Sequence, residues 1–356
     1  MSSSLTTHQE EDEAFAQATY LRSIGTFANV LNAALMLNLF DIVNEATGPN
    51  SLHVSAVEVA SKLLTKNPDA PSYIDRMLRL LACYNLLTCE LHRREDGSIE
   101  RLYGLTPVGK WFARREDGKS LAALKPQKEI EMVWLQLNDL VMEGGDLFEK
   151  VHRMPIYEFL SKNPRNDESF NKAMASLSKI TTSKVLDTYK GFEDLASLVD
   201  VGGGIGATLS MIISKYPTIK GINFDAPYVV EKAPACPGIT HVGGDMFSNI
   251  PITADAFMMK NVLHNWNDEQ CLKVLRNCNE ALPKNGKLIV MGWILPEYPD
   301  SSNASKYLSH MDILMIMHGG KQRTENEFKA LGKAAGFSDF QVKCFAHYVG
   351  IMEFLK

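Results

Sequence analysis

Apolar residues in the first part of the chain recur at intervals of three and four positions. Over residues 14–44 this spacing predicts a long helix, because such positions share one face of an α-helix. The apolar stripe is wider than one core face needs, which either a contact with another subunit or a large internal core explains. Further along, Ser55 and Glu58 have the spacing of a capping box that opens a short helix, and residues 71–84 predict another helix.

Two short β-like runs follow these helices, at 86–91 and 100–105, on either side of a polar turn that contains glycine. Helix, helix and hairpin in this order predict a winged-helix-like module. Nucleic acid is not expected as a partner, because the chain carries a net charge of −5. The module is better suited to be a dimerisation domain. Residues 1–12, rich in Ser, Thr and acidic residues, predict a disordered tail, so the domain spans residues 13–120.

The spacing of apolar residues changes from a helical to a β-like pattern in the second half of the chain. Residues 121–190 predict a mostly helical connector that contributes to a substrate pocket, interrupted at Gly144-Gly145 and Pro155. Over residues 191–356, short β-rich runs alternate with helical segments, which is typical of a doubly wound parallel sheet. Two last β-like runs have no helix between them and predict an antiparallel hairpin. The predicted strands of the parallel sheet are 198–201, 221–225, 239–243, 256–260 and 287–291, and those of the hairpin are 340–345 and 347–355.

Together these elements predict an α/β fold class, with a Rossmann-like doubly wound sheet, a C-terminal antiparallel hairpin and an N-terminal, mostly helical, winged-helix-like domain. Composition adds three expectations. The six cysteines are scattered without the spacing of metal ligands, so we expect a reduced, cytoplasmic setting and no metal. No basic and apolar leader is visible at the acidic N-terminus. No apolar run approaches the roughly 20 residues that span a bilayer, so no membrane partner is expected.

The most informative local pattern is a glycine-rich turn after the first predicted strand of the sheet. Gly202, Gly204 and Gly206 stand at every second position directly after an apolar run. Glycine is needed where the backbone passes close to a ligand and where φ is positive. A helical segment follows at once, so its N-terminal amides face the same space. The turn therefore predicts a nucleotide or nucleoside site.

Two cofactors fit this turn. The first two glycines with Ala207 match the dinucleotide fingerprint of nicotinamide enzymes, and Asp225 follows about 20 residues later. All three glycines together match the pattern of S-adenosylmethionine sites. Asp225 suits both ribose hydroxyls, while Asp245 and Met246, after the third strand, suit the adenine amino group and ring. The terminal hairpin is a methyltransferase trait, which leaves a nicotinamide-dependent oxidoreductase as a distant alternative.

Several longer motifs extend the argument. They are LVDVGGGIG, INFDAP, HVGGDMF, KNVLHNWND, ALPKNGKLIV, GGKQRT and IMEFLK. Together they resemble the plant caffeic-acid-type O-methyltransferase family over nearly the whole chain. The resemblance implies an S-adenosylmethionine-binding domain over 191–356, S-adenosylhomocysteine as the product, and a homodimer formed through the N-terminal region. The residues that it places at the donor are Gly202, Asp225, Asp245, Met246, Lys260 and Ser178.

His264 stands where the family has its catalytic base, directly after the fourth predicted strand. A phenol has a pKa of about 10, so only about one molecule in a thousand is ionised at pH 7. An imidazole with a pKa of about 6.5 is therefore a suitable base. Three positions depart from the family, because Asn265, Gly292 and Gln322 stand where it has carboxylates. His264 is thus expected to be a poorer base than in the family.

These departures leave two acceptor classes open. Methylation of a relatively acidic phenolic hydroxyl on a small aromatic plant-type metabolite is slightly favoured. The alternative is N-methylation of an arylamine or alkaloid-precursor amine, since a neutral amine offers its lone pair without a base. Lys125 aligns with a family position that contacts ring substituents and would suit an anthranilate-like carboxylate, although an exposed lysine explains it equally well. Further candidates for an aromatic acceptor pocket are Phe170, Met174, Met315 and Gln322, with His310 and His318.

Overall fold

The computed structural model describes residues 2–46 and 53–356, with side chains from residue 8, and divides the chain into two compact units at 126/127. In the first unit, α1 (Ser2–Met36) is followed by α2 (Leu39–Ala46). The pattern predicts one helix over 14–44 after a disordered tail, whereas the helix already begins at Ser2 and breaks at Asn38. The early start is compatible with the glutamates of this segment, which are good helix formers. The break occurs because Asn38 adopts a φ of +53°, which asparagine tolerates better than most residues.

The rest of the first unit is a small helical and β-sheet module. Its capping box is confirmed, since Ser55 Oγ accepts from Glu58 N at 3.2 Å and Glu58 Oε2 accepts from Ser55 N at 2.8 Å. The three strands form an antiparallel sheet in the order β1-β3-β2. Its elements are β1 (Val54–Ser55), α3 (Ala56–Lys62), α4 (Ala70–Cys83), β2 (Leu87–Arg93) and β3 (Ile99–Leu105), with short 3-10 helices at Gly109–Trp111 and Leu121–Ala123.

Apolar side chains on α1 remain open to solvent in the single chain. Phe15 is 74% exposed, Leu21 52% and Ile24 42%. Among the described residues, no single helix is long and apolar enough to cross a bilayer, and only residues 8–36 and 39–46 taken together, bent by 62°, meet that requirement. The exposure of Phe15, Leu21 and Ile24 shows that the core of the first unit covers only part of the apolar stripe of α1.

Helices open the second unit. The predicted interruptions are confirmed, because α6 ends just before Gly144, which has a φ of +72°, and Pro155 is the N-cap of α8. The first helices are α5 (Lys128–Glu131), α6 (Leu137–Glu143), α7 (Leu147–His152), α8 (Ile156–Lys162) and α9 (Pro164–Thr188), with a 3-10 helix at Met132–Gln136. The helices between and after the later strands are α10 (Ala207–Lys215), α11 (Pro227–Val230), α12 (Asp268–Ala281), α13 (Asn303–Ile316) and α14 (Glu325–Ala334).

A single large sheet forms the centre of the second unit. Its strands are β4 (Ser197–Val201), β5 (Lys220–Asp225), β6 (Ile239–Gly243), β7 (Ala256–Lys260), β8 (Lys287–Leu295), β9 (Arg323–Thr324), β10 (Asp339–Ala346) and β11 (Val349–Leu355). The order is β10-β11-β8-β7-β4-β5-β6, with β9 beside the end of β8. β4 to β8 are parallel, and β10 and β11 form the predicted antiparallel hairpin. The α/β fold class is confirmed.

The strand order determines where a ligand can bind. From β4 the chain proceeds outward through β5 to β6, then returns to β7 and β8 on the other side of β4. This reversal opens a crevice at the carboxyl ends of β4 and β7, which is where open parallel sheets bind their ligands. The glycine turn follows β4, and His264 follows β7.

Candidate active site

The glycine turn after β4 is packed on one side and open on the other. Gly202, Gly204 and Gly206 have φ values of +71°, +61° and +82°. A Cβ atom at Gly204 would meet no atom within 4 Å, whereas a Cβ at Gly203 would lie 2.5 Å from Asp200 Cγ. Gly206 is the N-cap of α10. The turn thus leaves free space at Gly204, beside the first amides of a helix.

Asp225 is held against this turn at the end of β5. Its Oδ2 accepts a hydrogen bond from Gly204 N at 2.7 Å, and its Oδ1 accepts from Ala226 N at 2.7 Å. A carboxylate has further lone pairs on both oxygens, so these bonds leave capacity for two hydroxyl donors. The structure therefore brings two of the predicted donor contacts together.

Asp245 and Met246 follow the neighbouring strand β6. Asp225 pairs with Gly243, so Asp245 lies two residues beyond the same edge of the sheet. Asp245 is exposed, and its carboxylate accepts from Phe247 N at 2.9 Å and from Ser248 Oγ at 2.6 Å. These bonds lower the pKa of the carboxyl group. Met246 packs against the core of the sheet, so an exposed acid and a half-buried apolar side chain stand side by side after β6.

A buried pair of charged groups lies beside the turn. Asp200 is 1% exposed, and neither carboxylate oxygen has a hydrogen-bond partner among the described residues. Burial raises the pKa of Asp200 to about 7, an effect that the positive charge of Lys260 partly offsets. Lys260 ends β7 and donates from Nζ to Ser178 Oγ of α9 at 2.9 Å. Burial lowers the pKa of Lys260 to about 8.

His264 lies on a 3-10 helix, Leu263–Asn265, directly after β7. Its Nδ1 atom is 3.1 Å from Nε2 of Gln322, and its ring stacks on that of Trp293 with centroids 5.4 Å apart and an angle of 12°. Burial, together with the charges of nearby cationic side chains, lowers the pKa of His264 to about 3. The imidazole is therefore neutral at physiological pH.

Sequence reasoning missed the residue that holds this segment. Arg323, on β9, is fully buried; its Nη1 donates to Leu263 O and its Nη2 to Trp266 O, both at 2.8 Å. The same guanidinium donates twice to Asp268 Oδ1. The carbonyls on either side of His264 are thereby fixed. A strand of two residues has no periodicity, so only the quoted motif GGKQRT could have drawn attention to Arg323.

The three positions that depart from the family differ in their surroundings. Asn265 donates to the backbone oxygen of Asn261 at 3.2 Å. A Cβ at Gly292, on β8, would meet no atom within 4 Å, so this site is open. Gln322 is buried and contacts His264 directly. Gln322 is thus the departure with a contact to the imidazole.

The remaining predicted acceptor contacts are spread over the chain. Phe170 packs in an apolar cluster of the second unit, and Met174 is 38% exposed on α9. Met315 is half-buried near the end of α13, and its backbone oxygen accepts from Gly320 N at 3.0 Å. Lys125 is exposed and belongs to the first unit.

The two other histidines proposed for the acceptor pocket differ in exposure. His310 is exposed, whereas His318 is half-buried close to His264. Within residues 2–46 and 53–356, no group of three His, Cys, Asp or Glu side chains could hold a metal ion.

Comparisons with known proteins agree with this geometry. The sequence profile of the O-methyltransferase domain matches residues 134–338, and that of the O-methyltransferase dimerisation domain matches residues 24–115. The chain is similar to a caffeic acid 3-O-methyltransferase of Medicago sativa, with 51% identity over 98% of this chain and 96% of that one. One from Capsicum annuum is 50% identical over 98% of both chains. The crystal structure of human N-acetylserotonin methyltransferase in complex with SAM has the same fold, with a TM-score of 0.79 and 22% identity over 96% of this chain and 97% of that one.

Proposed function

Because the chain belongs to the plant caffeic-acid-type O-methyltransferase family, we propose that it transfers the methyl group of S-adenosylmethionine to the hydroxyl oxygen of a small phenolic compound. The observation that carries this proposal is the position of the glycine turn and of His264 at the carboxyl ends of the adjacent strands β4 and β7. Donor and acceptor sites on neighbouring strands put the two reacting atoms side by side, and this proximity lowers the barrier to transfer.

The residues around the turn fit the donor. The free space at Gly204 accommodates a ligand against the backbone, and Asp225 has acceptor capacity for two ribose hydroxyls. Asp245 and Met246 would contact the adenine amino group and ring. When bound, the donor supplies a methyl group that is already activated by its sulfonium. The residues that we propose as donor contacts are Gly202, Gly204, Gly206, Asp225, Asp245, Met246, Lys260 and Ser178.

His264 would contact the acceptor hydroxyl. Its position after β7 supports this role, and Arg323 fixes its backbone through Leu263 O and Trp266 O. Phe170, Met174 and Met315 would contribute apolar contacts to an aromatic ring. Water must be excluded and the acceptor oxygen aligned with the methyl carbon, and these are the tasks of the protein in such a transfer.

We also propose that the working enzyme is a cytoplasmic homodimer. The dimerisation profile over residues 24–115 supports the dimer, as do the exposed apolar residues Phe15, Leu21 and Ile24 of α1. The six cysteines are free thiols in the structure, in keeping with a reduced compartment. The negative net charge argues against nucleic acid as a partner.

The function is tested with methyl-labelled S-adenosylmethionine and a panel of catechols, monohydroxylated flavonoids, anthranilate and indolic amines. We expect label on the hydroxyl compounds, and a loss of about 100-fold for His264→Ala, comparable to the removal of one preorganised hydrogen-bond donor. Label only on the amines would overturn the proposal. A thermal shift with S-adenosylhomocysteine, and none with nicotinamide cofactors, separates it from an oxidoreductase.

A further inference from the structure

The hydrogen bond between Gln322 and His264 determines where the proton of the imidazole lies. The amide Nε2 of Gln322 is a donor, and it is 3.1 Å from Nδ1 of His264. Nδ1 must therefore carry its lone pair. A neutral imidazole has one protonated nitrogen, so the proton is on Nε2. In this form Nδ1 accepts from Gln322 and Nε2 is a donor, which leaves no nitrogen free to remove a proton from an acceptor.

Charged groups on the surrounding elements reinforce the neutral form. Lys260 on β7, Arg323 on β9 and His318 after α13 all act against a positive charge on the ring. The two nearby carboxylates have other partners, because Asp312 Oδ1 accepts from the backbone N of Gln322 at 2.8 Å and Asp268 binds Arg323. In the described part of the chain, no carboxylate hydrogen-bonds the imidazole.

The ring of Trp293 stacks on the imidazole of His264 and offers it no hydrogen-bond acceptor. Its plane lies 12° from that of the His264 ring and covers one face of it. Trp293 is buried, and Tyr307 contacts it edge-on with centroids 6.3 Å apart. The imidazole is thus held between the Gln322 amide and the Trp293 indole, and neither side chain supplies a negative charge to pair with an imidazolium ion.

We propose that Gln322 is a positioning residue that holds His264 in the Nε2-protonated neutral form, so that the enzyme selects phenols acidic enough to ionise in water. This deepens the proposed function and rests on it. The phenol loses its proton to solvent, and the phenolate oxygen accepts a hydrogen bond from Nε2–H of His264. That oxygen then forms the bond to the methyl carbon while the bond from this carbon to sulfur breaks, and the electron pair remains on sulfur.

The substrate class follows from this step. At pH 7 a phenol with a pKa of about 10 is ionised in about one molecule in a thousand, and one with a pKa of about 7 in about half. At equal binding, the kcat/KM of the more acidic phenol should therefore exceed that of the less acidic one by up to about 500-fold. The lower nucleophilicity of its phenolate reduces this ratio. Phenols of this kind carry an electron-withdrawing group, such as a carbonyl, in conjugation with the hydroxyl.

The tautomer is tested directly by ¹⁵N NMR of the histidine side chains in the complete enzyme with S-adenosylhomocysteine, using His264→Gln to assign the signal. We expect an unprotonated Nδ1 and a protonated Nε2 that stay unchanged between pH 6 and 8. A protonated Nδ1 would mean that Gln322 presents its carbonyl oxygen instead, and this result would overturn the proposal. This measurement does not depend on activity, so it separates failure of the tautomer from failure of the proposed function.

The selectivity is tested with a ring-substituted phenol series and two variants of the same position. In the wild type, kcat/KM should rise tenfold per pH unit up to the pKa of each phenol. Gln322→Glu supplies a carboxylate that accepts from Nδ1–H and frees Nε2 as a base, so weakly acidic phenols should gain about tenfold or more at pH 7. Gln322→Met, the uncharged control of similar length, should give no such gain. A wild-type rate on weakly acidic phenols that is flat with pH would contradict the proposal.

Discussion

Replacement of Arg323 by lysine tests whether the guanidinium holds the segment that carries His264. Lysine keeps the positive charge but has a single donor group, whereas Arg323 donates to Leu263 O, to Trp266 O and twice to Asp268. A planar fork with several donors cannot be reproduced by one ammonium group. The variant therefore isolates hydrogen-bond geometry from charge.

The magnitude follows from the bonds that are lost. A hydrogen bond from a charged donor contributes about 1.5 kcal/mol at the lower end of its range, and two carbonyl bonds therefore account for about 3 kcal/mol. The bonds to Asp268 add little, because that side chain is 58% exposed and water screens the pair. Arg323→Lys should accordingly lower the free energy of unfolding of the second unit by about 3 kcal/mol.

Urea unfolding and hydrogen exchange of residues 261–266 measure this effect. The matched control is Asp268→Asn, which neutralises the half-exposed carboxylate partner of the buried Arg323 but leaves both carbonyl bonds, and it should cost about 1 kcal/mol. Faster exchange in this segment and slower methyl transfer should accompany Arg323→Lys. A loss no larger than that of Asp268→Asn would refute the reasoning.

Three further predictions concern the sheet and the turn. Gly203→Ala should lower the free energy of unfolding by about 1–3 kcal/mol, because the new Cβ contacts Asp200 and Asn223. Gly204→Ala should lower it by only about 1 kcal/mol and mainly weaken the binding of S-adenosylhomocysteine, measured by calorimetry. Equal losses of stability and of binding in the two variants would contradict this. Because the pKa of Asp200 rises from 3.8 to about 7 on folding, the folded state binds more protons between these values, so stability falls as pH rises from about 4 to about 7. Asp200→Asn should abolish this part of the pH dependence in urea titrations, and an unchanged slope would exclude Asp200 as its source. Gly292→Ala should be tolerated, with a gain of about 0.5 kcal/mol, whereas a marked fall in Tm would show that the site is not open.

Local patterns were sufficient to predict the longer strands and the glycine turn, but not the two-residue strands β1 and β9. Strands buried on both faces form apolar runs, and the predicted limits of 256–260 agree with β7. The predicted limits of 239–243 agree with β6, an edge strand that is less buried. The strand after 287 extends to Leu295 rather than 291, because its burial continues through Trp293 and Ile294 and into the pairing with β11. The last residues of β8 are buried by β11, which lies more than 50 residues further along the chain.

The arrangement around His264 could not be predicted, because it depends on contacts between distant parts of the chain. Gln322 is 58 positions from His264 and Arg323 is 60 positions from Leu263, so no local pattern connects them. The sequence identified Gln322 only as a departure from the family. Its contact with Nδ1 of the imidazole, at 3.1 Å, is visible only in the folded chain.

Methyl transfer to a phenolic oxygen is tested most directly by an acceptor that carries, on the same ring, an amino group and a hydroxyl made acidic by a conjugated carbonyl group. The purified enzyme would be incubated with ¹³C-methyl S-adenosylmethionine and this aminophenol, and the labelled carbon would be located by NMR. Both nucleophiles then compete in one active site at equal concentration. We predict an O-methyl product, and a product labelled only at nitrogen would contradict the account.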